Sequence, residues 1–248
     1  MKSIALRLQG GIVQRGQQQA QPKMPNLPRN RAARDLQPPQ ATMTTLKLSY
    51  FDFHGGRAEP VRLALHLGGI TFDDHRFPGA QFPVVRKAMP LGQVPVLEVD
   101  GIAVTQSDAM LRFAGKRANL YPTDDYQALL CDEVISGAED ISIKVGHTFG
   151  LTGDALKTAR QLLVDGPLPQ YLAWLENQLR SHGGVYFADG RLTIADLKIF
   201  VLIRSLSSGH LDHVPTDLVA KTAPALDGHA QRLAAHPGIA AYYAKFGA

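Results

Sequence analysis

One cysteine, Cys131, and one tryptophan, Trp174, stand in 248 residues. A single thiol excludes an internal disulfide and any zinc site built from several cysteines, and it suits a reducing compartment. No apolar run approaches the roughly 20 residues that a membrane-spanning helix needs; residues 199–203, the strongest candidate, are far too few. The nine histidines show no ligand spacing, and the nearest pair, His210 and His213, falls on a loop, so no metal is expected. No glycine-rich phosphate loop is present, since the glycines between 146 and 150 lack the following lysine and the strand context. Cys131 opens a helical stretch and reads as a core residue rather than a nucleophile.

Charged residues make up 19%, ordinary for a globular protein, but their sign is unevenly spread. Seven basic residues and one acid fall in residues 1–42, out of 26 and 22 in the whole chain, which leaves 19 and 21 for the rest. The pI near 9.2 therefore belongs to the first segment. The body has no basic stripe interleaved with aromatics, and no nucleic-acid partner is expected. Residues 1–43 are rich in Gln, Pro and Arg and too poor in apolar residues to offset the entropy of ordering, so a disordered basic leader or extension is expected. The segment lacks the apolar core of a secretory signal. Its Arg-rich, acid-poor composition fits a mitochondrial transit peptide; a dispensable extension, or a true start at Met43, fits as well.

The body then divides in pattern. Residues 46–51 alternate and predict a first strand. Residues 57–67 carry helical spacing, and Gly68-Gly69 supplies a stop. Residues 72–77 predict a second strand, and residues 83–88 a short helix with proline near its start. Two extended runs, 94–99 and 102–105, flank Asp100-Gly101, a strong hairpin signal. Ser107 precedes a helical run as its N-cap. Beyond a linker at 122–125 there are only helical segments, at 126–148, 153–164, 168–182, 193–206 and 229–246. Thr193 and Asp196 form a capping-box pattern, with Asp in the place usually held by Glu or Gln. An α/β layer over 44–121 followed by an all-helical region over 126–248 is expected.

Five fragments in order carry a resemblance. They are Tyr50-Phe51 with Gly56-Arg57-Ala58-Glu59-Pro60, then Leu91-Gly92-Gln93-Val94-Pro95, then Gln106-Ser107-Asp108-Ala109, then Leu192-Thr193-Ile194-Ala195-Asp196, and last His236-Pro237-Gly238-Ile239. Together they resemble the cytosolic glutathione transferases of tyrosine type, over residues 44–248. The stretches 72–77 and 97–101 look most like the sigma class, which includes glutathione-dependent prostaglandin D synthases. The resemblance implies a thioredoxin-like domain, a helical domain, a cytoplasmic homodimer, and glutathione as substrate with a small apolar electrophile. Free thiols ionise near pH 8.5, so the enzyme must favour the thiolate, and a hydroxyl donating to sulfur does this. The resemblance gives that part to Tyr50, assisted by Arg57; taken alone, Tyr50 is a half-buried aromatic at a strand end. Ser49 is the alternative hydroxyl.

For the tripeptide, the resemblance offers Val94 before a cis Pro95 to pair with its backbone, and Gln106 with Ser107 for the glutamyl end. Phe82, Arg86 and Gln93 fall at the glycyl end. Asp140 falls where the family reaches across a dimer interface, and it reads equally as part of a solvated helix face beside Glu139. Six residues separate Tyr50 from Arg57 where the family has five, so the loop beside the sulfur is expected to be reshaped. The electrophile is expected between the two regions, near residues 144–148 and 242–246. A glutathione-dependent isomerase and a non-enzymatic relative of the fold are the alternatives.

Overall fold

The computed structural model describes residues 44–246. The leader and the question of Met43 lie outside the described residues. Strand β1 (Leu46–Phe51) is central, in a sheet ordered β2-β1-β3-β4. It pairs in parallel with β2 (Asp73–Phe77) and antiparallel with β3 (Val96–Val99), which turns back into β4 (Ile102–Val104). That last turn is the Asp100-Gly101 pair, with φ of 50° and 79°. Both values belong to the left-handed region, which a two-residue hairpin turn requires and which Asp and Gly tolerate. The Asp100 carboxylate also accepts from the Thr45 amide at 2.8 Å, fastening the turn to the start of β1.

Between β1 and β2 runs helix α1 (Glu59–Leu67). It begins two residues later than the apolar spacing predicts, because Gly56 at φ 66° ends an irregular loop ahead of it. Its Glu59 and Arg62 side chains are fully buried and paired at 3.2 Å, and Arg62 also reaches Asp74 of β2 at 2.9 Å. Helix α2 (Phe82–Val85) is one turn, continued by a tight turn at Arg86–Ala88. Helix α3 (Ser107–Arg117) packs on α1.

The remainder is helical: α4 (Asp125–Gly146), α5 (Gly153–Asp165), α6 (Pro167–Ser181), α7 (Ile194–Ser207), α8 (Leu218–Thr222), α9 (Pro224–Ala234) and α10 (Pro237–Ala244). Asp124 caps α4 by accepting from the amides of Tyr126 and Gln127. Helix α7 is buried from Ile194 to Ile203 and touches α1, α3, α4 and α9. The expected capping box is present: the Thr193 amide donates to Asp196 at 2.8 Å.

Two expectations are corrected. The periodic segment 229–246 is the end of α9 followed by α10, since Pro237 has no N–H to continue a helix and starts a new one instead. Ser107 is the first helical residue of α3 and makes no capping bond, and the flanking position belongs to Gln106. Among the described residues no helix is long and apolar enough to cross a membrane.

Candidate functional site

At the carboxyl end of β1 the chain enters the loop Phe51 to Arg57, which carries the extra residue. Tyr50 is buried, at 7% exposure, with the Phe51 and Phe53 rings 5.1 and 5.7 Å away. Its hydroxyl accepts from the Arg57 amide at 3.3 Å. Because the oxygen accepts there, its own proton remains free to be donated. Burial raises the Tyr50 pKa, against the lowering pull of the Arg57 amide and of the Arg57 and Arg62 charges. The phenol therefore stays neutral, a donor rather than a base. Ser49, the alternative hydroxyl, is wholly buried and meets His75 at 3.1 Å, inside the sheet.

Gly56 holds the hydroxyl in place from outside. A Cβ there would lie 2.6 Å from the Tyr50 oxygen, and its φ of 66° is one that other residues seldom adopt. The Arg57 side chain turns away from the hydroxyl. Its Nε donates to Glu139 of α4 at 2.9 Å, and Glu139 in turn accepts from Lys198 of α7 at 2.6 Å. Lys198 also reaches Asp108 of α3 at 2.8 Å. Burial opposes ionisation of Glu139, but Lys198 and Arg57 outweigh it and hold its carboxyl below the usual range. Arg57 thus serves the hydroxyl through its backbone.

A groove of about 390 Å³ opens beside this loop, lined by Phe51, Arg57, Phe82, Gln93, Val94, Pro95, Thr105, Gln106, Ser107, Glu139 and Ile143. Seven of the expected residues therefore meet in one place. The Val94–Pro95 peptide is cis. Val94 sits just outside the β1–β3 ladder, whose register ends with Ser49 opposite Val96, so its backbone groups stay free of the sheet. Gln106 has φ 71° and ψ 102°, an uncommon conformation for a residue with a side chain. Strain of this kind is retained where surrounding structure enforces it, and it clusters at binding sites. Here it directs the chain abruptly into α3, whose first amides, beginning at Ser107, have no partners within the helix.

Three expected residues lie elsewhere. Tyr50 is buried and does not line the groove, with Gly56 packed against its hydroxyl. Arg86 is exposed, its guanidinium 5.4 Å from the Phe82 ring centre. Asp140 is exposed and accepts from the Tyr171 hydroxyl at 3.0 Å. Phe51, Thr105, Glu139 and Ile143 are groove residues that were not among the expected ones, and Glu139 is the one that carries a charge. Its partner Arg57 is 82 positions away, and nothing local signals the pair.

Past Arg57 the groove continues into a second hollow against α7. A narrow part of about 110 Å³ runs between Gly56, Arg57, Pro60, Ser142, Val145, Phe149, Lys198 and Leu202. It leads to a wider part of about 600 Å³, lined by Phe53, His54, Gly55, Gly56, Phe149, Val201, Arg204, Ser205, Ser208, His210, Leu211 and Tyr243. His54, in the loop after β1, is held by Glu59 at 3.3 Å and by the rings of Tyr242, Tyr243 and Phe246. Of the segments expected to border the electrophile, Val145 and Tyr243 line this hollow, whereas Tyr242 is buried.

A glutathione S-transferase N-terminal domain model matches residues 57–117, and a glutathione S-transferase C-terminal domain model matches residues 139–246. Glutathione S-transferase 1 of Ascaris suum is 30% identical over 181 residues, covering 68% of this chain and 87% of that protein. The chain belongs to the glutathione S-transferase family. Among solved structures, prostaglandin synthase D of Nilaparvata lugens superposes with a TM-score of 0.73 at 29% identity, over 81% of this chain and 98% of that one. The sigma class glutathione S-transferase of Fasciola hepatica superposes at 0.72 and 27% identity, over 82% and 97%. Among the described residues of this glutathione S-transferase, no group of three His, Cys, Asp or Glu side chains converges as a metal site.

Proposed function

We propose that the protein conjugates glutathione, as its thiolate, to small apolar electrophiles, with Tyr50 donating its hydroxyl proton toward the sulfur. The observation that carries this is the Arg57 amide donating to the Tyr50 oxygen, which leaves the phenolic proton free and aims the oxygen by its backbone. In this reading residues 44–121 form the glutathione-binding domain and 126–248 the helical one. Val94 pairs with the tripeptide backbone beside Pro95, and Gln106 with Ser107 and the first amides of α3 hold the glutamyl carboxylate. Phe82, Gln93 and, from the rim, Arg86 receive the glycyl end. The electrophile enters the hollow on the α7 side of Gly56.

A hydrogen bond to a charged sulfur contributes about 1.5–3 kcal/mol. Tyr50→Phe should therefore lower kcat/KM for 1-chloro-2,4-dinitrobenzene roughly 10- to 100-fold, with the KM for glutathione changed far less. Unaltered activity in Tyr50→Phe removes the role of the hydroxyl. No conjugation by the wild type, together with no retention on immobilised glutathione, overturns the whole proposal.

The raised Tyr50 pKa has a pH consequence. A tyrosine that titrates above its ordinary value near 10 keeps its proton throughout the neutral and mildly alkaline range. The pH profile of kcat/KM should rise as the glutathione thiol ionises and show no descending limb below about pH 10. A fall that begins near pH 9 would contradict the donor role.

Similarity to the Nilaparvata lugens prostaglandin synthase favours a second reading, an isomerase that returns glutathione unchanged. Product formation without glutathione consumption distinguishes it. The proposal also includes a cytoplasmic homodimer in which Asp140, exposed beside Tyr171, reaches the neighbour's glutathione amino group. Sedimentation of a monomer would remove that part. Imaging residues 1–42 fused to a fluorescent protein decides between cytoplasm and mitochondrion.

A further inference from the structure

Four side chains on the wall of the wide hollow are ionisable: His54, Arg204, His210 and Tyr243. Arg204 keeps its proton at any ordinary pH. Burial drives the Tyr243 pKa far above its ordinary value, which makes the phenol a weak acid. His210 is exposed, on the loop after α7. His54 differs from all three. Its ring is partly buried, with the Phe246 ring centre 4.6 Å away and those of Tyr243 and Tyr242 at 5.8 and 6.0 Å. Its Nδ1 meets a Glu59 oxygen at 3.3 Å, and Glu59 is itself fully buried and fixed by Arg62. A carboxylate only accepts, so Nδ1 carries a hydrogen and donates it. Nε2 has no hydrogen-bond partner among the described residues, and it is not shut away from solvent. An imidazole with one nitrogen anchored on a carboxylate and the other open is suited to general acid–base chemistry.

We propose that His54 is a further catalytic residue, a general acid whose Nε2 hands a proton to an electrophile oxygen that gains charge during attack, as in the opening of an epoxide. This rests on the transferase reading, which sets the sulfur beside Gly56, two residues further along the same loop. Glutathione releases its thiol proton to solvent, and the thiolate forms a C–S bond at one epoxide carbon. The C–O bond to that carbon breaks with its electron pair going to oxygen, and the oxygen takes the proton from Nε2. The imidazole then regains a proton from solvent. The sum is addition of glutathione S–H across the C–O bond, with no oxidant or reductant.

The test uses two electrophiles on the full chain that differ in their need for a proton. The oxygen of 1,2-epoxy-3-(4-nitrophenoxy)propane must acquire one, whereas 1-chloro-2,4-dinitrobenzene expels chloride and needs none. His54→Gln should lower kcat/KM about 100-fold for the epoxide and less than threefold for the aryl chloride. In His54→Ala, added imidazole should raise the epoxide rate at least tenfold and leave the aryl chloride rate unchanged. Equal losses with both compounds would mean that His54 only supports the loop, and an undiminished epoxide rate in His54→Gln would mean that solvent supplies the proton. Either result overturns the proposal alone, as does a wild type that conjugates the aryl chloride and leaves the epoxide intact. A wild type that conjugates neither compound overturns the transferase reading, and the proposal with it.

Discussion

Replacing Asp196 with alanine should leave little folded protein at 37 °C, with an expected loss of about 4 kcal/mol in unfolding free energy. The carboxylate is fully buried at the start of α7, the helix that touches both the sheet region and the helical region. One oxygen accepts from the Thr193 amide at 2.8 Å and from the Thr193 hydroxyl at 2.9 Å. The other accepts from the Phe187 amide at 3.1 Å and meets His229 at 3.0 Å. Alanine strands all of these donors away from water. A lost cap costs about 0.5–2 kcal/mol, each stranded polar group about 1–3, and removal of one partner of a buried pair about 3–5 as a whole. Against a typical total of about 5–15 kcal/mol this is a large fraction. Urea unfolding followed by the fluorescence of the lone Trp174 should show the midpoint falling by about 2 M, for a slope near 2 kcal/mol per molar. Asp196→Asn, which keeps one acceptor oxygen, should lose roughly half as much. A midpoint unchanged in Asp196→Ala would mean that the cluster carries no net stabilisation.

Gly56→Ala should abolish most catalysis while leaving the protein folded. Two independent obstacles stand at this position. Alanine at φ 66° costs about 1–2 kcal/mol, and its methyl carbon would sit 2.6 Å from the Tyr50 oxygen. The loop relieves both by moving, which withdraws the Arg57 amide from the phenol and disorients its proton. The methyl group would also press on the Phe53 ring, at 3.1 Å. The expected fall in kcat/KM is about 100- to 1,000-fold, at least as large as in Tyr50→Phe. In the double variant Gly56→Ala, Tyr50→Phe, the phenylalanine change should have almost no further effect, because both act on one hydrogen bond. Full additivity of the two changes would show that Gly56 acts elsewhere.

Local chemistry accounts for what could be read before the fold was seen. The Asp-Gly hairpin, the Thr193–Asp196 cap and the glycine stop after α1 are each decided within a few residues of chain. Seven groove residues were legible because their fragments are short and resemble a known family in order. What escaped depends on contacts between distant segments. Glu139 reads as one more acid on a helix until folding sets it against Arg57 and Lys198. Helix α8 is a turn and a half, too short to display a period. The resemblance places Arg57 beside the hydroxyl, but only folding shows that its backbone amide makes the contact while its side chain turns to Glu139.

The chain of charges from Arg57 through Glu139 and Lys198 to Asp108 ties the groove wall to three helices at once. A wall anchored on α3, α4 and α7 has few alternative shapes to give up when a flexible tripeptide arrives. Association then loses mainly the freedom of the ligand, and the ordering penalty that weakens many peptide complexes is small here. The backbone around the groove should accordingly shift by less than about 1 Å between the free and the glutathione-bound protein.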